Sequence, residues 1–166
     1  GSLPVPRALR MMRIANDLNH ESIFIGAKRE EKIKDYENWE GFKIYRVGEK
    51  YPLLNGRGLK IYIKYTVMFA RSLYKFFKKE NPDILVASDF EVVIPAIIYS
   101  ITHKKKLIYN IHDNLAQRYN VSKLTYSVLN LLEGIAVLFS DSSLVPEDFR
   151  KKSLPFWCQK KINVVK

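Results

Sequence analysis

Three features of the sequence predict an α/β domain, Rossmann-like and doubly wound, with a mostly parallel sheet and helices on both faces. Helical periods of ten or more residues alternate with short β-rich runs. One of those runs, Ile84–Ser88 (ILVAS), is continuous and apolar, as in a parallel strand buried on both faces, and Leu107–His112 (LIYNIH) reads as a second buried strand. Strand, helix and strand in succession imply right-handed crossovers. The 166 residues suit one domain spanning 1–166, or one half of a two-domain enzyme.

The elements follow in order. Pro4 and Pro6 suit a first helical turn, and Arg7–Leu18 has helical spacing at Leu9, Met12, Ala15 and Leu18, stopped by Asn19-His20. Glu21–Gly26 reads as a short strand, Lys28–Glu40 as a charged surface excursion, and Phe42–Val47 (FKIYRV) as an edge or half-exposed strand. Pro52, Asn55, Gly56 and Gly58 form a loop before the long amphipathic helix Leu59–Glu80, which Asn81-Pro82-Asp83 ends. After the strand Ile84–Ser88 come a helix over Glu91–Thr102, a basic turn at His103–Lys106 and the strand Leu107–His112. A helix over Tyr119–Phe139, a strand at Ser142–Val145, a short helix at Pro146–Ser153 and a strand at Ile162–Val165 complete the pattern. A doubly wound domain usually opens with a strand, so the pattern expects one before the first helix and further chain after the last strand.

With 47% hydrophobic and 27% charged residues the chain carries enough apolar side chain to close a core, which excludes disordered, collagenous and low-complexity classes. Its single cysteine, Cys158, makes no internal disulfide, which points to a cytoplasmic setting; beside Trp157 it reads as a half-buried thiol. No apolar run reaches the roughly 20 residues that span a bilayer, and no signal peptide is expected at the start. Lys and Arg outnumber Asp and Glu by 28 to 17, a net charge of +11 that suits polyanionic company: nucleic acid, anionic lipid or a phosphorylated substrate.

In an open α/β sheet, ligands collect outside the carboxyl ends of the strands. A parallel reading brings Asp89, His112 and Asp113 to one mouth, where a carboxylate beside an imidazole could handle a hydroxyl proton. A histidine at a strand end also serves simply to satisfy a backbone group, so both readings of His112 stand. His20 reads as a helix stop and His103 as solvated surface. No nucleophile elbow, Walker loop, dinucleotide fingerprint or metal-spaced cluster follows any strand, so no metal and no cofactor are expected.

On the helix Leu59–Glu80, Lys60, Lys64, Arg71, Lys75 and Lys78 fall within a sector of roughly 60° at 100° per residue, with Tyr62, Phe69, Leu73 and Phe76 near the far side. Three readings stand. The stripe is a solvated face over a core face, a seat for an anionic membrane, where each cation contributes about 1 kcal/mol at best, or a nucleic-acid contact, for which no recognised motif frames it.

Taken together, Arg7-Ala8-Leu9-Arg10-Met11-Met12 with Asn19-His20-Glu21, then Asn81-Pro82-Asp83-Ile84-Leu85-Val86-Ala87-Ser88-Asp89-Phe90, Lys106-Leu107-Ile108-Tyr109-Asn110-Ile111-His112-Asp113, and Ser143-Leu144-Val145-Pro146 resemble the N-terminal domain of GT-B glycosyltransferases. The likeness is to the large retaining group that includes capsule, lipopolysaccharide and mannosyl transferases, and it covers nearly the whole chain through the order and spacing of the motifs. It implies that this half binds the acceptor, while a C-terminal domain holds the nucleotide-sugar and stabilises its leaving phosphate, usually without metal. His112 then lies near the reacting sugar, Asp89 at acceptor contacts, and Asp113, Asn114 and Arg118 along the following loop, with Arg7 a further acceptor-side residue. The chain departs from the pattern where Asn19 replaces a glycine and Asn110 an aspartate, and where the family's first strand is missing.

The expected function is thus the acceptor half of a sugar transferase, inactive alone, working with a nucleotide-sugar and a lipid-linked or polysaccharide acceptor, peripheral on the cytoplasmic face of the membrane. The rival is a non-catalytic module that recruits a partner subunit or polyanion through its basic face.

Overall fold

The computed structural model describes residues 4–28, 33–48, 59–113 and 122–165, except for the side chains of 59–63. The chain divides into two compact units, Gly1–Phe76 and Phe77–Lys166. The first contains α1 (Pro6–Asp17), β1 (Ile23–Ala27), β2 (Tyr36–Trp39), β3 (Phe42–Val47) and most of α2 (Leu59–Glu80). The second contains β4 (Ile84–Ser88), α3 (Phe90–His103), β5 (Lys106–Asn110), α4 (Lys123–Phe139), β6 (Ser142–Val145), α5 (Asp148–Ser153), a 3-10 helix (Phe156–Lys161) and β7 (Ile162–Val164). This is a Rossmann-like α/β fold.

In the first unit the strand order is β1-β3-β2, parallel between β1 and β3 and antiparallel between β2 and β3. β3 is therefore central rather than an edge. Its alternation is nonetheless real: Phe42, Ile44 and Arg46 are buried and Lys43 is exposed. The partner that makes it central, β2, lies inside the charged segment read as a surface excursion, because the apolar half of Tyr36-Glu37-Asn38-Trp39 is only two aromatic residues. Arg46 sits on the buried side because Lys34 O accepts from it at 2.8 Å and Glu37 pairs with it. Tyr45 packs on Phe76 with ring centres 4.9 Å apart, tying β3 to the helix that follows it.

In the second unit four strands run parallel in the order β4-β5-β6-β7. Register aligns Ala87, Tyr109, Ser143 and Ile162 in one row across the sheet, and all four are buried. The neighbouring row, Val86, Ile108 and Ser142, is half-buried or exposed. The apolar run of β4 is thus covered on one side only, with Ile84 and Val86 exposed, which differs from the two-sided burial its composition implies. Composition reports what a strand tolerates, not whether another element covers both of its faces.

Local chemistry sets the helix ends. Pro6 at the first position of α1 lacks only a donor that would be unsatisfied anyway. Ser122 caps α4 by accepting from the Thr125 amide at 3.3 Å. Lys104 closes α3 in the left-handed conformation at φ 54°, so the basic turn is a helix cap. His103 departs from the solvated reading: its ring stacks on buried Tyr99 at 4.2 Å between centres. Cys158 is fully buried rather than half-buried, and burial pushes its thiol up to about 11.

Asp141, just before β6, accepts from the Leu107 amide at 2.8 Å and from Lys106 Nζ at 2.9 Å. The amide bond first, then the lysine, hold its carboxyl below the usual carboxylate range. A depressed folded value gives stability that is present above the unfolded pKa near 4 and lost as pH falls through the folded one. Asp141→Asn should therefore lower the melting temperature by more at pH 7 than at about pH 2. Equal losses at both pH values, read in thermal melts, would disprove the linkage.

Candidate functional site

The parallel register sets Ser88, at the carboxyl end of β4, beside Asn110, at the carboxyl end of β5. Asn110 is fully buried. Its Nδ2 donates to Ser88 Oγ at 3.1 Å and meets His112 Nε2 at 3.2 Å. Residues 110 and 112 fall on one side of an extended chain, which is what lets the amide reach the ring. With Nε2 accepting from the amide, the neutral imidazole carries its proton on Nδ1. Asn110 Oδ1 is buried with no hydrogen-bond partner among the described residues.

The third contribution comes from beyond β6. The chain turns at Pro146 into α5, and Arg150 on that helix donates through Nη1 to the carbonyl of His112 and to Asp113 Oδ1 at 2.5 Å. A guanidinium so placed holds the turn after β5 by its backbone and by its carboxylate together. Asp113 remains more than half exposed and Arg150 is mostly covered.

Asp89 follows Ser88 directly and precedes the first turn of α3. Its backbone has φ 77° and ψ 152°, a region that only glycine enters readily. Its side chain makes no capping bond to the helix, although its carbonyl accepts from Val92 and Val93 amides at 3.2 Å. A strained residue at the rim of the sheet, keeping its carboxylate out of the capping role that aspartate fills well, is a physical pointer to function.

The structure thus brings Ser88, Asp89, Asn110, His112, Asp113 and Arg150 to the carboxyl rim of the parallel sheet of the second unit. Asn114 and Arg118 lie outside the described residues. Arg7 is half-buried on α1 in the first unit. On α2, Lys64, Arg71, Lys75 and Lys78 are exposed while Leu73 and Phe77 are buried and Phe69 and Phe76 half-buried; the side chains of Lys60 and Tyr62 lie outside the described residues. The opposed stripes read from the sequence are therefore real as burial. Among the described residues no group of three His, Cys, Asp or Glu side chains could hold a metal, and no helix is long and apolar enough to cross a membrane.

No protein-family model and no curated protein matches this chain. The chemistry therefore rests on the side chains themselves. Sequence reasoning passed over Arg150 and treated Asn110 only as a departure. Arg150 gives no local signal, because it acts across 37 positions through the fold. Asn110 gives a partial one: a polar amide inside an otherwise apolar strand must be satisfied or must face a ligand. The rim offers a neutral ring donor, a carboxylate on a strained backbone and a braced turn. Side chains of these types can donate to some hydroxyl oxygens and accept from other hydroxyl groups.

Proposed function

We propose that the chain is the acceptor-binding half of a glycosyltransferase that moves a sugar from a nucleotide-sugar to a lipid-linked or polysaccharide acceptor. The single observation that carries the reading is the polar cluster at the carboxyl rim of β4 and β5, where buried Asn110 links Ser88 to His112. The motif order that resembles the GT-B family supports it. In this reading the Asp89 carboxylate accepts a hydrogen bond from the attacking hydroxyl of the acceptor, orienting an oxygen lone pair toward the anomeric carbon. His112, protonated on Nδ1, donates to a hydroxyl or ring-substituent oxygen of the reacting sugar. Arg150 keeps that ring in place through the His112 carbonyl. The acceptor oxygen bonds to the anomeric carbon as the bond from that carbon to the nucleotide phosphate breaks, the hydroxyl proton passes to the Asp89 carboxylate, and the nucleotide leaves with the negative charge on its phosphate; that charge needs cationic or amide donors from a companion lobe, so the 166 residues alone turn over little or nothing.

The test is transfer of a labelled sugar by the chain together with its companion lobe. His112→Ala combined with Asp89→Ala should lower the rate at least about a hundredfold. Normal transfer by the double variant defeats the assignment.

We further propose that the exposed cations of α2 seat the protein on an anionic membrane surface at the cytoplasmic face. The four exposed cations Lys64, Arg71, Lys75 and Lys78, at about 1 kcal/mol or less each, give weak, salt-sensitive attachment. Co-sedimentation with anionic vesicles should exceed that with neutral ones, fall at high salt, and be lost when Lys64, Arg71 and Lys75 become Glu. Binding that ignores lipid charge excludes this seat.

A further inference from the structure

On α4, every exposed residue from Val128 to Phe139 is apolar: Val128, Leu131, Leu132, Ile135, Leu138 and Phe139. The buried residues Glu133, Gly134, Ala136 and Val137 occupy the opposite side. The outward face of the helix is therefore apolar over this stretch, which for a helix of a water-facing layer is anomalous. With Leu124, which is 77% exposed, the outward stripe runs 124, 128, 131, 135 and 138. Those steps of four, three, four and three residues are the spacing of a helix–helix seam. α3 packs beside α4 and adds Ile94, Ile98 and Ile101, again four and three apart and each exposed.

With roughly 150–200 Å² accessible on each such residue in an extended chain, the exposed fractions leave on the order of 800 Å² of apolar surface on these two helices. The largest apolar patch on a typical monomer is about 300–600 Å². A standard stable interface buries about 800 Å² per partner. No charged side chain is exposed among residues 124–139, so a second copy of the same patch meets it without desolvating an ion.

We propose that this face is the homodimer interface of the protein, a second copy of the chain laying its own α3 and α4 against it. α4 crosses its counterpart about a two-fold axis at Leu131, the middle residue of the stripe, so that the seams interdigitate and each α3 flanks the partner helix. The inference is independent of the chemistry assigned to the sheet rim. It also has an electrostatic signature. Each copy carries +11, so association works against long-range repulsion and strengthens with salt. An anionic lipid surface would give the opposite sign.

Sedimentation velocity of the chain from about 1 to about 100 µM should show a reversible dimer whose dissociation constant falls as salt rises from about 50 to about 500 mM. Leu131→Glu with Ile135→Glu places like charges in the seam and should raise that constant at least tenfold with the circular dichroism unchanged. Leu131→Cys should form a covalent dimer under mild oxidation; the buried Cys158 does not compete, and this second variant decides the matter if the glutamate pair disturbs folding. A monomer at every concentration and salt, an undiminished dimer in a folded glutamate variant, or a monomer that instead binds neutral vesicles through Leu131 and Ile135 overturns the proposal.

Discussion

Tyr109→Phe is expected to cost about 2–3 kcal/mol of stability, a large share of what a domain of this size possesses. Tyr109 Oη donates to Glu133 Oε1 at 2.5 Å, and both residues are buried to within about one per cent of complete cover. The phenol sits in the buried row of the parallel sheet, and the carboxylate comes from the inward face of α4, so the bond fastens helix to sheet. Deleting one oxygen leaves the ring packing intact but withdraws a donor from an acidic group that has no access to water. The penalty is that of an under-satisfied buried acid, larger than the net worth of an ordinary hydrogen bond. Glu133→Gln keeps an acceptor of the same shape in place and should cost less than half as much. Urea denaturation of the two variants supplies the comparison. A Phe variant within about 0.5 kcal/mol of the parent would mean that the bond is energetically idle.

At Asp89 two substitutions are expected to differ in stability while both lower the proposed sugar transfer. Asp89→Ala and Asp89→Gly each remove the carboxylate proposed to hold the acceptor hydroxyl. They differ in the backbone: at φ 77° and ψ 152° an alanine Cβ is strained and a glycine is not. Residues held in such regions cost about 1–3 kcal/mol, against which glycine loses about 0.5–1 kcal/mol through its freer unfolded chain. The glycine variant should therefore be more stable than the alanine one by about 1 kcal/mol. Sugar transfer by the chain with its companion lobe should fall at least about tenfold in both. If glycine gives no advantage the backbone is not strained, and if both variants transfer normally the carboxylate is not part of the site.

Arg150 shows why part of the site was illegible in the sequence. It sits in a short basic helix whose composition, Asp148-Phe149-Arg150-Lys151-Lys152-Ser153, resembles any solvated turn. Only the return of the chain from β6 over the rim brings its guanidinium to His112 and Asp113. Asp89 and His112 were legible because each directly ends a strand-like run, and strand ends of a parallel sheet share one edge by geometry. The strain at Asp89 was not, since backbone torsion leaves no mark on residue identity when the residue is not glycine.

Local patterning alone set the order of every element but β2 and the 3-10 helix, and most of their limits, because periods of 3.6 and 2 in apolar residues are local and survive without knowing the neighbours. α2, β3, β4 and β6 fall on the ranges their patterns predict. Tertiary structure alone decided which strands are central, how far Cys158 and His103 are covered, and which helix faces are left bare. β3 became central through a four-residue strand too polar to announce itself, and the apolar run of β4 ended with one side open. Burial is a property of pairs of elements. A strand or helix carries in its residues only the capacity to be covered, and the fold settles whether anything covers it.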